Sequence, residues 1–407
     1  MAKKGYLSRR DFLKAAGTVS AASLIGATRV AAQAPGQSER GSSEHPRVPT
    51  RPFGKTGVQV SVLSLGGMFD IPSNQMMLKQ ALHWGVTYWD TADCYGNGKS
   101  ETGIGEFFKK YPDTRAQVFL VTKSDSRNPA GMTGLLNQSL ERMNTHYIDL
   151  YFIHGISGIK EMKPEMKTWA EKAKAEGKIK LFGFSTHSNM EDCLLGAAKL
   201  GWIDGIMMTY NFRIMHQEQM KNAVEACSSA GIGLTAMKTQ GGGPLTVDSE
   251  TELEMASQFL KQGFTDKQAK LKAVWDNPRI ASICSQMPNL TILSANVAAA
   301  LNQIKLSAEA MRQLEVYARE TACGYCAGCS RICEAAMGES LPIADLMRCL
   351  MYYRSYGEQD RARSLFAELP PATRERLTDC DFAAAERICP QRLRIGKLIK
   401  EATVLLA

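Results

Sequence analysis

The sequence predicts an α/β chain, a (β/α)8 barrel followed by a mainly helical segment. Three observations predict it: the 407-residue length, an alternation of short β-branched runs with longer amphipathic stretches, and a tight run of four cysteines behind the last run. The length is more than one small domain needs. Apolar residues are 44% and charged residues 22% of the chain, a balance that buries a core and excludes a disordered polymer.

The strand candidates are 60–65, 87–91, 118–122, 148–153, 180–184, 205–209, 233–236 and 280–283. Each is short, and most are β-branched or aromatic runs, as strands buried on both faces are. Between them, stretches such as 133–143, 165–176 and 217–229 carry helical periodicity. The last interval is longer because charged helical sequence is inserted there. Eight such units in a row predict a closed barrel over 51–305, ending with a helix at 296–304. The alternative is an open doubly wound sheet, but no G-x-G-x-x-G follows the first strand to support it.

The net charge of +8 is concentrated at the start, where residues 1–34 hold six basic side chains and one acid. This reads as a targeting feature and argues against nucleic-acid binding. Ser8-Arg9-Arg10-Asp11-Phe12-Leu13-Lys14, an Ala-rich apolar stretch and Ala32-Gln33-Ala34 have the parts of a twin-arginine signal. The expectation is therefore a signal over 1–34, a Pro/Ser/Gly-rich linker over 35–50, and a folded protein delivered by the twin-arginine translocase to the periplasm or beyond. No stretch is long and apolar enough for a stable membrane span.

Catalytic groups of such barrels sit where strands end. Asp90 and Tyr95 follow the second strand, Lys123 ends the third and His154 the fourth. Carbonyl reduction needs a proton donor for the alkoxide that forms when hydride arrives. A phenol, with a pKa of about 10, is a poor acid at neutral pH unless a cation favours its anion. Lys123 is placed to be that cation, with Asp90 holding it, Tyr95 as the general acid and His154 orienting the carbonyl. Nearby Cys94 reads as filler, and His187 as a loop residue close to substrate.

At these positions the sequence resembles the aldo-keto reductase family, whose tetrad is Asp, Tyr, Lys and His. The resemblance extends to Gly54-Lys55-Thr56-Gly57, Gly66-Gly67, Gly177-Lys178-Ile179, Gly183-Phe184-Ser185 and Tyr210-Asn211. It implies NAD or NADP, held without a Rossmann fold by Ser185, Lys238, Gly241, Ser285 and Asn296. The sequence departs from the family at Met207, where a carboxamide-binding Gln is expected, and at Met237, where an aromatic is expected. The lack of Lys or Arg after the eighth strand weakens a preference for NADP.

Behind the barrel, over 307–407, Cys323, Cys326, Cys329 and Cys333 form C-x2-C-x2-C-x3-C, the bacterial ferredoxin spacing for a [4Fe-4S] cluster. Cys389, which precedes Pro390, is the alternative fourth ligand to Cys333. Zinc on four thiolates and disulfide pairing are the other readings of the run. The sequence thus leads to an extracytoplasmic reductase of a small carbonyl compound, or oxidant of an alcohol. A ferredoxin-like iron-sulfur module would couple to it or brace it, and an electron-transfer partner would serve it. The rival is a redox-sensing or scaffold protein that uses barrel and cluster for binding alone.

Overall fold

The structure is a computed structural model, and it describes residues 46–245, 250–338 and 341–407. The signal expected over 1–34 and the linker up to residue 45 lie outside the described residues. All described residues belong to one compact unit, His45–Ala407.

Eight parallel strands close into a barrel. They are β3 (Leu63–Gly66), β4 (Tyr88–Asp90), β5 (Phe119–Ser124), β6 (Ile148–Ile156), β7 (Ile179–Thr186), β8 (Gly205–Thr209), β9 (Gly233–Met237) and β10 (Ile280–Gln286), with β10 pairing back onto β3. An antiparallel hairpin, β1 (Thr50–Pro52) and β2 (Gln59–Ser61), precedes them. The expected strand at 60–65 is therefore two strands. Ser61 causes the break: its hydroxyl donates to Leu63 O and accepts from the amides of Thr87 and Tyr88, turning the chain from the hairpin into the barrel wall.

The hairpin closes one end of the barrel. Phe53 is fully buried against Gly205 and Gly233, where β8 and β9 begin; a Cβ on Gly233 would lie 2.4 Å from its ring. Tyr88, Phe119, Val121, Leu150, Phe152 and Met207 fill the interior above it. Met207, standing where the family's Gln was expected, is thus barrel packing. The strands' other ends remain for chemistry. Gly183 marks how close the walls approach, since a Cβ there would meet Gly205 O at 1.8 Å. Gly183→Ala must push two backbones apart. It should cost at least ~1–3 kcal/mol, read as a lower urea midpoint with unchanged slope.

The insertion before β10 is the helix pair Glu250–Lys261 and Asp266–Trp275, and the closing helix runs Leu290–Leu301, earlier than expected. Beyond it the described chain is helical: Ala308–Glu320, Ser330–Cys333, Ile343–Met351, Gln359–Ala367, Pro371–Asp379, Ala383–Ile388 and Ile395–Leu405. These helices enclose their own apolar cluster around Leu346, Met347, Leu350, Phe366, Leu398 and Ile399. The ferredoxin-like fold expected here is corrected, because no strand occurs among the described residues after β10. No helix among the described residues is long and apolar enough to cross a membrane.

Candidate active site

Asp90, Tyr95, Lys123 and His154 come together at the open end of β4, β5 and β6. Asp90 ends β4, opposite Val121 of the neighbouring β5, and Lys123 is the penultimate residue of β5. Both are buried, 2% and 1% exposed, so their charges exist only because they meet. Lys123 Nζ donates to Asp90 Oδ2 at 2.7 Å, to Thr91 O at 2.7 Å and to Tyr95 OH at 3.4 Å. It also lies 4.8 Å from the Tyr95 ring centroid. Burial is the largest single effect and opposes the ammonium charge, but Asp90, Tyr95 and Cys284 together outweigh it and hold Lys123 above its usual pKa.

The Tyr95 phenol moves in the direction opposite to the one expected from its cation alone. Burial raises its pKa, with Asp90 adding to the rise, and Lys123 and Arg361 recover only part of it. Desolvation wins because the phenolate would give up much of its water in this half-buried site. Tyr95 is thus fully protonated at neutral pH.

β6 loses register with β7 between Ile153 and Ile156, and His154 stands in that irregular stretch. Its Nδ1 lies 2.8 Å from Asp125 Oδ1 and 3.6 Å from Cys94 Sγ, and its ring meets Tyr95 edge-on with centroids 5.8 Å apart. Burial, reinforced by Lys123, lowers the imidazole pKa, while Asp125 works against the fall. His154 is neutral above its lowered pKa. Facing a carboxylate, Nδ1 carries the hydrogen and Nε2 is left as an acceptor.

Three further groups were missed by sequence reasoning. Asp125, two residues beyond Lys123, was within reach of the same strand-end argument. Arg361 and Tyr352 come from the C-terminal helices, and no local pattern points from there to the barrel. The Arg361 guanidinium carbon lies 5.7 Å from the Tyr95 ring centroid and 4.9 Å from that of Tyr352, and Arg361 also touches Met68 Sδ. Gln286 joins the two parts by donating to Met68 O and Glu358 Oε1.

The residues expected to hold a nicotinamide nucleotide do not form an open cradle. Lys238 Nζ is held by Tyr352 OH at 3.1 Å and His187 Nδ1 at 3.2 Å, so His187 faces a lysine. The Gly241–Gly243 run is covered. A Cβ on Gly243 would meet Gly324 O at 2.0 Å, and Ser355 Oγ donates to Gly243 O. Ser185 Oγ accepts from Gly155 N, and Asn296 donates to Ser285 Oγ. The cavity beside Lys238 measures about 30 Å³, whereas cofactor sites need roughly 300–1,000 Å³. These residues do not fit a dinucleotide in this arrangement.

Tyr352 is itself unusual. Burial pushes its pKa up, but Lys238, Arg361 and Arg348 together bring it down to about 8. Tyrosinate absorbance near 295 nm should therefore rise with a midpoint well below the usual value of about 10, and Tyr352→Phe should remove that phase.

The cluster expectation is corrected on geometry. Among the described residues, one group of at least three His, Cys, Asp or Glu side chains brings its ligand atoms within 4.8 Å of one another: Asp93, Cys94, Asp125 and His154, with a single cysteine. Cys323, Cys326, Cys329 and Cys333 make no such group. Cys323 is exposed, and the sulfur of buried Cys333 turns to the carbonyls of Ser330 and Cys329 at 3.7 and 3.9 Å. A [4Fe-4S] cluster on these residues, any coupling to it, and the sensor or scaffold reading built on it are set aside.

A closed parallel barrel with a buried lysine–aspartate pair beside a strand-end phenol defines a class of protein equipped for proton transfer at its open end. Residues 63–319 match the model of the aldo/keto reductase family, and the chain belongs to that family. It is 27% identical to an aldo-keto reductase of Fusarium vanettenii over 49% of this chain and 65% of the relative. It is 28% identical to an NADP(+) aldo-keto reductase of Schizosaccharomyces pombe over 49% of this chain and 63% of the relative. The chain thus spans just under two thirds of the length of these curated relatives. The holo form of an aldo-keto reductase from Bacillus halodurans shares the fold, with a TM-score of 0.56 at 23% identity, covering 67% of this chain and 96% of that one. The likeness to the solved structure shows the fold. It lends nothing to a twin-arginine-exported or iron-sulfur type, since the family match ends at residue 319 and the solved neighbour is an aldo-keto reductase barrel. The periplasmic location, the translocase and the electron-transfer partner are withdrawn with it.

Proposed function

We propose that the protein interconverts a small carbonyl compound and its alcohol, with Tyr95 as the group that gives and takes the proton. The observation that carries this reading is Lys123 Nζ, fixed 2.7 Å from Asp90 and 3.4 Å from Tyr95 OH. In reduction, hydride adds to the carbonyl carbon and the Tyr95 O–H passes its proton to the oxygen. Burial keeps Tyr95 protonated until that moment, as an acid must be. Lys123 then stabilises the phenolate left behind, at a distance where a low-dielectric site makes the charge count. In oxidation the same steps run backwards.

The family resemblance, and the NADP(+) in one relative's name, make nicotinamide nucleotides the hydride donors to try first. No step is derived through them, since the expected contacts are closed. The test is turnover of a panel of aldehydes, ketones and alcohols with NADPH and NADH offered separately. Turnover of at least one carbonyl–alcohol pair is expected. Absence of turnover in both directions with both nucleotides would overturn the reading.

A further inference from the structure

We infer that Asp93, Cys94, Asp125 and His154 form a binding site for a divalent zinc-like cation at the rim of the active site. The four ligand atoms, one imidazole nitrogen, one thiol sulfur and two carboxylate oxygens, all lie within 4.8 Å of one another. Two gaps are already short: His154 Nδ1 to Asp125 Oδ1 is 2.8 Å and His154 Nδ1 to Cys94 Sγ is 3.6 Å. Ligands of a tetrahedral zinc ion, bound at about 2.0–2.3 Å, sit roughly 3.5 Å apart, so small side-chain rotations close the set. The mixture of sulfur, nitrogen and oxygen donors suits zinc and excludes magnesium or calcium, which take oxygen alone.

A second observation points the same way. Asp93 is only 8% exposed, yet its Oδ1 is buried and has no hydrogen-bond partner. A buried carboxylate oxygen without a partner is costly, and Oδ2 accepts from the Asp125 amide at 3.4 Å, so this carboxylate has capacity left for a cation. Entry is open, because Cys94 is exposed and the Asp125 side chain is 55% exposed. The site uses none of the cysteines at 323–333.

Occupancy would change what His154 does. With Asp125 as its partner, Nδ1 holds the hydrogen and Nε2 only accepts. With a cation on Nδ1, the hydrogen moves to Nε2, which becomes a donor able to polarise a carbonyl. That consequence rests on the reading of Tyr95 given above, whereas binding does not.

Co2+ is the probe, titrated anaerobically into the reduced full-length chain. The expected result is a thiolate-to-cobalt absorption band saturating at about one equivalent, with the visible bands of tetrahedral cobalt. Cys94→Ser should abolish the thiolate band. Asp93→Asn should weaken affinity at least ~10-fold, since even outer partners of metal ligands are worth that much. Cys323→Ser should leave the spectrum unchanged. Circular dichroism melts establish that the variants fold, and exposure of Cys94 makes Cys94→Ser mild. The site is disproved if Cys94→Ser and the unmodified chain give the same cobalt spectrum, or if Cys323→Ser removes the band. Either result leaves the role of Tyr95 untouched.

Discussion

Tyr95→Phe should lower kcat for carbonyl reduction by ~10²–10⁴, the usual worth of a positioned general acid, while the fold and its melting temperature stay close to those of the unmodified chain. The ring can stay in place: its edge-on contact with His154 and its position beneath Lys123 depend on the aromatic body. Only the hydroxyl is lost, and its partner Lys123 keeps Asp90 and the Thr91 carbonyl. The lost rate is therefore chemistry and not packing. A loss in kcat and kcat/KM together would mark an interaction made in the transition state. A variant that kept turnover within a few-fold would remove Tyr95 from the acid role.

Much of the barrel was legible because its signals are local. Seven strand segments fell where apolar runs are bounded by polar turns, and the one at 60–65 was overextended because Ser61 breaks the run with side-chain bonds to Thr87 and Tyr88 at the start of β4. Asp90, Tyr95, Lys123 and His154 were found together because strand ends converge in a closed barrel, so spacing in sequence becomes proximity in space. The direction of the Tyr95 pKa was not legible. The sequence displays the nearby cation but not the burial that outweighs it.

The C-terminal part was misread for a related reason. Cysteine spacing states what a segment is able to present, not where its sulfurs point, and Cys333 turns to backbone carbonyls. Likewise Lys238 and Gly241 looked free to hold phosphate. Instead Tyr352 and Ser355, more than a hundred residues away, take up Lys238 and the Gly243 carbonyl, and Arg213 donates to Gly241 O. Contacts of that range follow from helix packing across the barrel, and no periodicity announces them.

The Asp90–Lys123 pair yields the largest expected effect on stability. Lys123→Met leaves a carboxylate in the barrel with Oδ1 already lacking a partner and Oδ2 retaining only Cys284 Sγ at 3.7 Å. Stranding one member of a buried ion pair costs ~3–5 kcal/mol, read as a lower urea midpoint at neutral pH. The pH dependence has a definite sign. Burial already holds Asp90 above its usual pKa, and removing Lys123 raises it further. The folded state then binds the proton more tightly than the unfolded chain, so the deficit is full above the raised pKa and shrinks as pH falls towards about 4. Asp90→Leu combined with Lys123→Met removes both charges and should recover most of the lost stability, because apolar replacement of a whole buried pair is often neutral. The double variant should remain inactive, since Tyr95 would lose Lys123, the cation hydrogen-bonded to its hydroxyl. A single Lys123→Met variant as stable as the unmodified chain across that pH range would show that Asp90 is not held as a buried charge by Lys123, and the proton relay would lose its foundation.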